Sequence, residues 1–276
     1  MKPDVALYGF PGSLCSQKVR LALAEKCVVY DDRFVDIELR LTNYEPWYLR
    51  LNPKGVVPTL LHREQVVIDS VLILKYIDEA FQGPMLTPED PGERERMDYW
   101  ITEQDRMRMR ELSYASFKGT LGLILRRVSM PLRVRKLHRL RDANPSLAEI
   151  YDAKIEDVQG WRAEIRDETE IAKIRRELDG VLRQLEEQLG KTHYVAADAY
   201  SLADVTWTCV LARLKMLGLA SALWGDERLP RVKAYYDEQS VRPSFAAARI
   251  WEAPPNLKSG IDLLRSAPVT GLPLGI

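Results

Sequence analysis

The chain has 276 residues, 46% of them apolar, and its 40 Lys and Arg balance its 40 Asp and Glu. That apolar fraction supports a packed core and excludes a disordered chain, while the neutral balance leaves no electrostatic footprint for nucleic acid. No apolar run reaches the roughly 18 residues of a transmembrane helix, no secretory signal pattern opens the sequence, and three widely spaced cysteines, Cys15, Cys27 and Cys209, make no disulfide framework. The expected setting is cytoplasmic, and the length suits two modest domains.

Val5 to Phe10 is a short β-prone run stopped by Pro11-Gly12. Ser13 or Ser16 can cap the helix-forming segment that follows, in which Val19, Ala22 and Leu23 share one face. Val28 to Ile37 reads as a second strand, and Tyr44 to Leu51 as a short aromatic helix or turn. Val56 to Leu61 and Gln65 to Ile68 are separated by a three-residue, hairpin-like spacing. Asp69-Ser70 then opens a helix through Val71, Leu74, Ile77 and Phe81. The order βαβαββα, a parallel unit followed by an antiparallel hairpin, is that of a thioredoxin-like α/β domain over residues 1–83.

Residues 84–92, rich in Pro, read as a linker, and beyond them strand signals vanish, so that residues 93–276 form an all-helical domain. One long helix is expected over 93–128 and another over 171–189, where Ile171, Ile174, Leu178, Leu182 and Leu185 make a stripe. Ser201-Leu202-Ala203-Asp204 resembles a capping box ahead of Val205, Trp207, Val210, Leu211 and Leu214.

Three places carry chemistry. Ser13 and Cys15 stand where a strand passes into a helix, so free N–H groups and the positive helix end favour a thiolate, on the protein or on a bound thiol. The plainer reading is a helix cap with Cys15 packed inward. Val57-Pro58 opens a strand, and a cis bond there would present the Val57 backbone as a docking edge. Asp69-Ser70 offers a carboxylate, a hydroxyl and free helix N–H groups, which suit the two charged ends of an amino acid or serve as an ordinary N-cap.

Their order matters more than any one of them. The run from Ser13 to Leu23, then NPKGVVPTL, then Asp69-Ser70 with Ile73, Tyr76 and Ile77, and finally Ser201 to Asp204, resembles the glutathione transferase superfamily. The Ser-x-Cys-Ser turn is similar to that of its zeta- and omega-type members and of its reductive dehalogenase branch. The resemblance implies glutathione as co-substrate, no metal, a small hydrophobic, aromatic electrophile as partner, and a homodimer. It implies that Ser13 polarises the glutathione sulfur, that Val57, beside Pro58, pairs with the cysteinyl backbone, and that Asp69 and Ser70 hold the γ-glutamyl end. Val56 stands where many members have Gln or Lys, which leaves the glycyl end to Lys54 or Arg50. The electrophile is expected between the Ser13 turn and the helix beginning near Glu93, facing Arg106, Arg110 and Tyr114. Cys15, if reachable, adds thiol transfer or reductive dehalogenation through a mixed disulfide.

Residues 125–168 are longer and more charged than in compact members, with Arg126, Arg127, Arg133, Arg135, Lys136, Arg139 and Arg141 among apolar residues. A solvated face is the plain reading, and an anionic membrane surface the sharper one. The second supports a rival function, a non-catalytic binding or membrane-associated module like the ganglioside-induced differentiation-associated branch.

Overall fold

The computed structural model describes residues 3–117, 129–225 and 227–252. Four short strands, β1 (Val5–Gly9), β2 (Asp31–Phe34), β3 (Thr59–His62) and β4 (Gln65–Ile68), form one sheet in the order β2-β1-β3-β4. β1 runs parallel to β2 and antiparallel to β3, and β3 and β4 make an antiparallel hairpin. Helices α1 (Leu14–Glu25) and α3 (Ser70–Ala80) carry the matching apolar residues, and Leu7, Val19, Leu23, Leu60, Ile73 and Ile77 are fully buried together. A 3-10 turn (Thr42–Tyr44) and α2 (Pro46–Leu51) lie between β2 and β3. This is the thioredoxin-like arrangement.

Two strands are shorter than their sequences indicate. β2 covers only Asp31–Phe34 because β1 offers partners from Ala6 to Gly9 alone, and Val29, outside the ladder, is 77% exposed. β3 begins at Thr59, immediately after a cis Val57–Pro58 bond.

The remaining elements are helical: α4 (Pro91–Arg106), α5 (Met109–Ser116), α6 (Met130–Ala143), α7 (Ala148–Glu164), α8 (Glu168–Gln188), α9 (Leu202–Met216), α10 (Ala220–Trp224), α11 (Pro230–Ser240) and α12 (Pro243–Ala247). The single helix expected over 93–128 is interrupted at Met107-Arg108, where Met107 adopts an extended conformation. α9 is the core of this half. Trp207 is fully buried and donates from Nε1 to the Trp100 carbonyl of α4 at 3.0 Å. The α9 start is held by Asp204, whose Oδ2 accepts from the Ser201 N–H and hydroxyl at 2.8 Å each. Its Oδ1 accepts from the Val195 N–H and the Tyr235 hydroxyl at 2.9 Å each.

α1 packs on α9, on α12 and on α3, so the helix that follows the Ser13 turn lies between the two halves. Lys18 Nζ reaches Gln104 Oε1 of α4 at 2.6 Å, and Arg242 and Ser244 bind the Glu25 carboxylate. Among the described residues no helix is long and apolar enough to cross a membrane.

Candidate active site

Ser13 is the N-cap of α1: its extended backbone (φ −79, ψ 124) lets Oγ accept from the Ser16 N–H at 3.3 Å. The hydroxyl proton is thereby left for another acceptor. Ser16, fully buried, closes the turn from beneath by accepting from the Phe10 N–H at 3.3 Å, and Gln17 Nε2 donates to the Pro11 carbonyl at 3.0 Å. The turn is therefore braced on residues that do not face the ligand. Cys15, in the first turn of α1, is partly exposed. The sequence left open whether this residue packs fully inward, and it does not.

Beside the turn, the Val57 N–H and C=O enter no hydrogen bond among the described residues, although Val57 is buried. Tyr48 and Asn52 hold the preceding Val56 carbonyl at 2.7 and 2.9 Å, which fixes this backbone edge from below. Asp69 caps α3 by accepting from the Val71 N–H at 3.0 Å, in a backbone conformation with φ 79. A non-glycine residue there costs of the order of 1–3 kcal/mol, and such strain clusters at ligand sites. Lys54 Nζ lies 3.6 Å from Asp69 Oδ2. The Ser70 hydroxyl has no partner among the described residues.

Arg106, Arg110 and Tyr114 do not form one stripe. The break at Met107-Arg108 resets the helical phase, and on α4 the inward positions are Met97, Trp100, Ile101 and Gln104. Arg106 follows Gln104 by two residues, roughly 200° around the helix, and pairs with Glu103 at 2.8 Å. It lines a surface cavity of about 330 Å³ bounded by α4, α5 and α8, to which no residue of the sheet domain contributes. Arg110 stacks on Trp161 at 4.8 Å and pairs with Glu111 and Asp157. Of the three, only Tyr114 reaches the sheet domain, donating its hydroxyl to Glu38.

The basic stretch fits the plain reading only in part: Arg135, Arg139 and Arg141 are solvated, and Arg133 and Lys136 are not. Arg126 and Arg127 lie outside the described residues. Arg133 binds Glu38 at 2.6 Å, Lys136 binds Glu45 at 2.5 Å, and Arg141 binds Asp152 at 2.6 Å. Leu137, Leu140, Tyr151 and Ile155 bury against Leu41, Tyr44 and Leu49, and the Tyr151 hydroxyl donates to the Tyr44 carbonyl at 2.9 Å. The α6–α7 pair is thus docked on the sheet domain through its cations, while Arg135 and Arg139 remain exposed.

One residue near the turn escaped sequence reasoning. Arg213, on α9, is 5% exposed and donates from Nη2 to the Gly12 carbonyl at 2.5 Å. Burial pulls its guanidinium down from the usual range, opposed by the nearby Tyr114 and Cys15. The sequence carried no signal for it, because α9 also holds Asp204, Thr206, Thr208 and Lys215 and nearly all its positions are buried.

Comparison with known proteins agrees with this geometry. The family model described as the glutathione S-transferase N-terminal domain matches residues 7–85, and that described as the C-terminal domain matches residues 159–238. Tetrachloro-p-hydroquinone reductive dehalogenase of Sphingobium chlorophenolicum is 35% identical over 94% of this chain and 100% of its own. Ganglioside-induced differentiation-associated protein 1-like 1 of Homo sapiens is 28% identical over 88% of this chain and 73% of its own. Among solved structures, β-etherase LigF of Sphingobium sp. strain SYK-6 superposes with a TM-score of 0.71 at 24% identity, covering 88% of this chain and 98% of that one. The fold and these relatives are those of a glutathione transferase-type enzyme. The chain belongs to the glutathione S-transferase family.

Proposed function

We propose that the protein is a glutathione-dependent transferase that attacks an electrophilic aromatic carbon and, for halogenated quinols, completes a reductive removal of halide through Cys15. The observation that carries this reading is the turn itself: a Ser13 hydroxyl that accepts from the Ser16 N–H and donates to no described residue, followed within α1 by the partly exposed Cys15. Its likeness to a reductive dehalogenase over nearly the whole chain supports the second half.

In this scheme Val57 pairs with the cysteinyl backbone, Asp69 and Ser70 receive the γ-glutamyl end, and Lys54 sits beside them. Ser13 donates to the glutathione sulfur and favours its thiolate. The thiolate forms a C–S bond to the chlorinated carbon and chloride leaves with its electron pair. The Cys15 thiolate then attacks that sulfur. An S–S bond forms, the C–S bond breaks, and the ring carbon keeps the electron pair and takes a proton. A second glutathione thiolate attacks the mixed disulfide, returning Cys15 and releasing glutathione disulfide. Two glutathiones are oxidised and one carbon–chlorine bond is reduced, so the electrons balance. With substrates that stop at the first adduct the same site performs conjugation.

Retention on immobilised glutathione together with turnover of a chlorinated quinol tests the reading. Ser13→Ala is expected to slow the first step, and Cys15→Ala to stop at the glutathionyl adduct. Binding to anionic vesicles with neither retention nor turnover would replace the enzyme with a binding module.

A further inference from the structure

Buried cations are normally paired, because desolvating one without a counter-charge costs several kcal/mol. Two at the boundary between the halves are not. Lys18 is 1% exposed and its ammonium meets only the neutral Gln104. Arg213 is bonded only to the neutral Gly12 carbonyl; its Nε is buried without a partner, and neither residue has an ion pair among the described residues. The titratable groups that act most strongly on Arg213 are Tyr114 on α5, Cys15 on α1, Cys209 on α9 itself and Glu38 after β2. The carboxylate among them, Glu38, is already held by Arg133 and Tyr114. The guanidinium is therefore fixed, dehydrated and without an anionic partner among the described residues, and it is bonded to the residue that directly precedes Ser13.

We infer that Arg213 is the electrostatic positioning residue of the sulfur site: its charge, held against Gly12, stabilises the thiolate of glutathione bound at the Ser13 turn. The inference rests on the proposed binding of glutathione there. Ser13 supplies a directed hydrogen bond, and Arg213 supplies a field that needs no direct contact. In a site that excludes water such a field acts with little screening.

The test compares wild type, Arg213→Gln and Arg213→Lys with two probes, glutathione and S-methylglutathione, which lacks an ionisable sulfur. The ultraviolet thiolate band of bound glutathione is followed against pH, and the affinity for each probe is measured in parallel. In Arg213→Gln the midpoint of the band is expected to rise by about one pH unit, roughly a tenfold loss of thiolate at neutral pH, while S-methylglutathione binds as in wild type. Arg213→Lys is expected to keep the band close to wild type. It also serves as the working comparison if Arg213→Gln does not fold. An unchanged midpoint in Arg213→Gln, an equal weakening of both probes, or a full shift in Arg213→Lys would each overturn the role of charge. Absence of glutathione binding in wild type would instead sink the proposed function, and this inference with it.

Discussion

Arg133 of α6 places Nη2 2.6 Å from Glu38 Oε2, across 95 residues of sequence, and so ties the inserted helical pair to the loop after β2. Both partners contact Tyr114, and Trp161 lies under the Arg133 guanidinium at 5.4 Å and edge-on to Tyr114 at 4.5 Å. A charge pair of this kind stabilises less by its own attraction than by making each partner costly to lose. Arg133→Met alone is expected to lower stability by about 3 kcal/mol, by stranding the Glu38 carboxylate. The double variant Arg133→Met/Glu38→Gln should recover most of that loss. Urea unfolding of the two single variants and the double one measures it; additive losses would show that the pair is not coupled.

Asp69 combines a cap with a backbone conformation that disfavours it. Asp69→Gly removes the bond to the Val71 N–H, which costs only a few tenths of a kcal/mol when glycine replaces the cap, and relieves a φ of 79 that glycine adopts freely. The second effect is the larger, so the thermal midpoint should hold or rise. Glutathione affinity should nevertheless fall roughly tenfold, because a charge-assisted contact to the γ-glutamyl end is lost. A large drop in thermal midpoint with unchanged KM for glutathione would assign Asp69 to folding alone.

Cys209 gives a pH dependence with a definite sign. Burial pushes its thiol up to about 12, against the pull of Lys18 and Arg213. Unfolded, a thiol ionises near about 8.5. Below that pH both states hold the proton, and the full contribution to stability is present. As pH rises from there toward 12 the unfolded chain releases a proton that the folded chain keeps, and stability is lost with a limiting slope of about 1.4 kcal/mol per pH unit. Cys209→Ala should unfold with a shallower alkaline dependence than wild type, even though its baseline stability differs. Parallel dependences in denaturant midpoints from neutral to alkaline pH would rule out this linkage.

Most of the sheet domain was legible because its signals are local. Pro11-Gly12 ends a strand, Ser13 caps a helix four residues before Gln17 turns back on Pro11, and Asp69-Ser70 starts another helix. What was not legible depends on partners distant in sequence. β2 stops where β1 runs out of paired residues, although Val28 and Val29 favour a strand. The interruption at Met107-Arg108 has no Gly or Pro to mark it, and it undid the apparent spacing of Arg106, Arg110 and Tyr114. The cations of α6 read as surface because Glu38 and Glu45, which bind Arg133 and Lys136, lie about ninety residues earlier. Arg213 was hidden for the opposite reason. Nearly every position of α9 is buried, so periodicity defines no polar face from which an arginine could stand out.

Gly12 tests whether the turn is shaped by what lies over it. Its carbonyl holds Arg213, and a Cβ at this position would stand 2.8 Å from Trp251 Cζ3 and 3.0 Å from Phe10 Cε1. The second contact is tight and the first is closer than real Cβ atoms come, so one aromatic ring must yield or the turn must shift. Trp251 follows α12, and Arg249 and Glu252 on either side of it bind Asp32 and Lys215. The segment is therefore anchored, and displacement of the turn is the expected response. Gly12→Ala should then move the carbonyl away from Arg213 and reduce glutathione turnover by about tenfold, the equivalent of 1.4 kcal/mol, with little change in thermal midpoint. Trp251→Ala removes the obstacle, so Gly12→Ala added to Trp251→Ala should cost much less than it does alone. That non-additivity, measured on kcat/KM in a double-mutant cycle, is the signature of direct contact between the two positions. Equal losses in both backgrounds would mean that the glycine is needed for a reason other than Trp251.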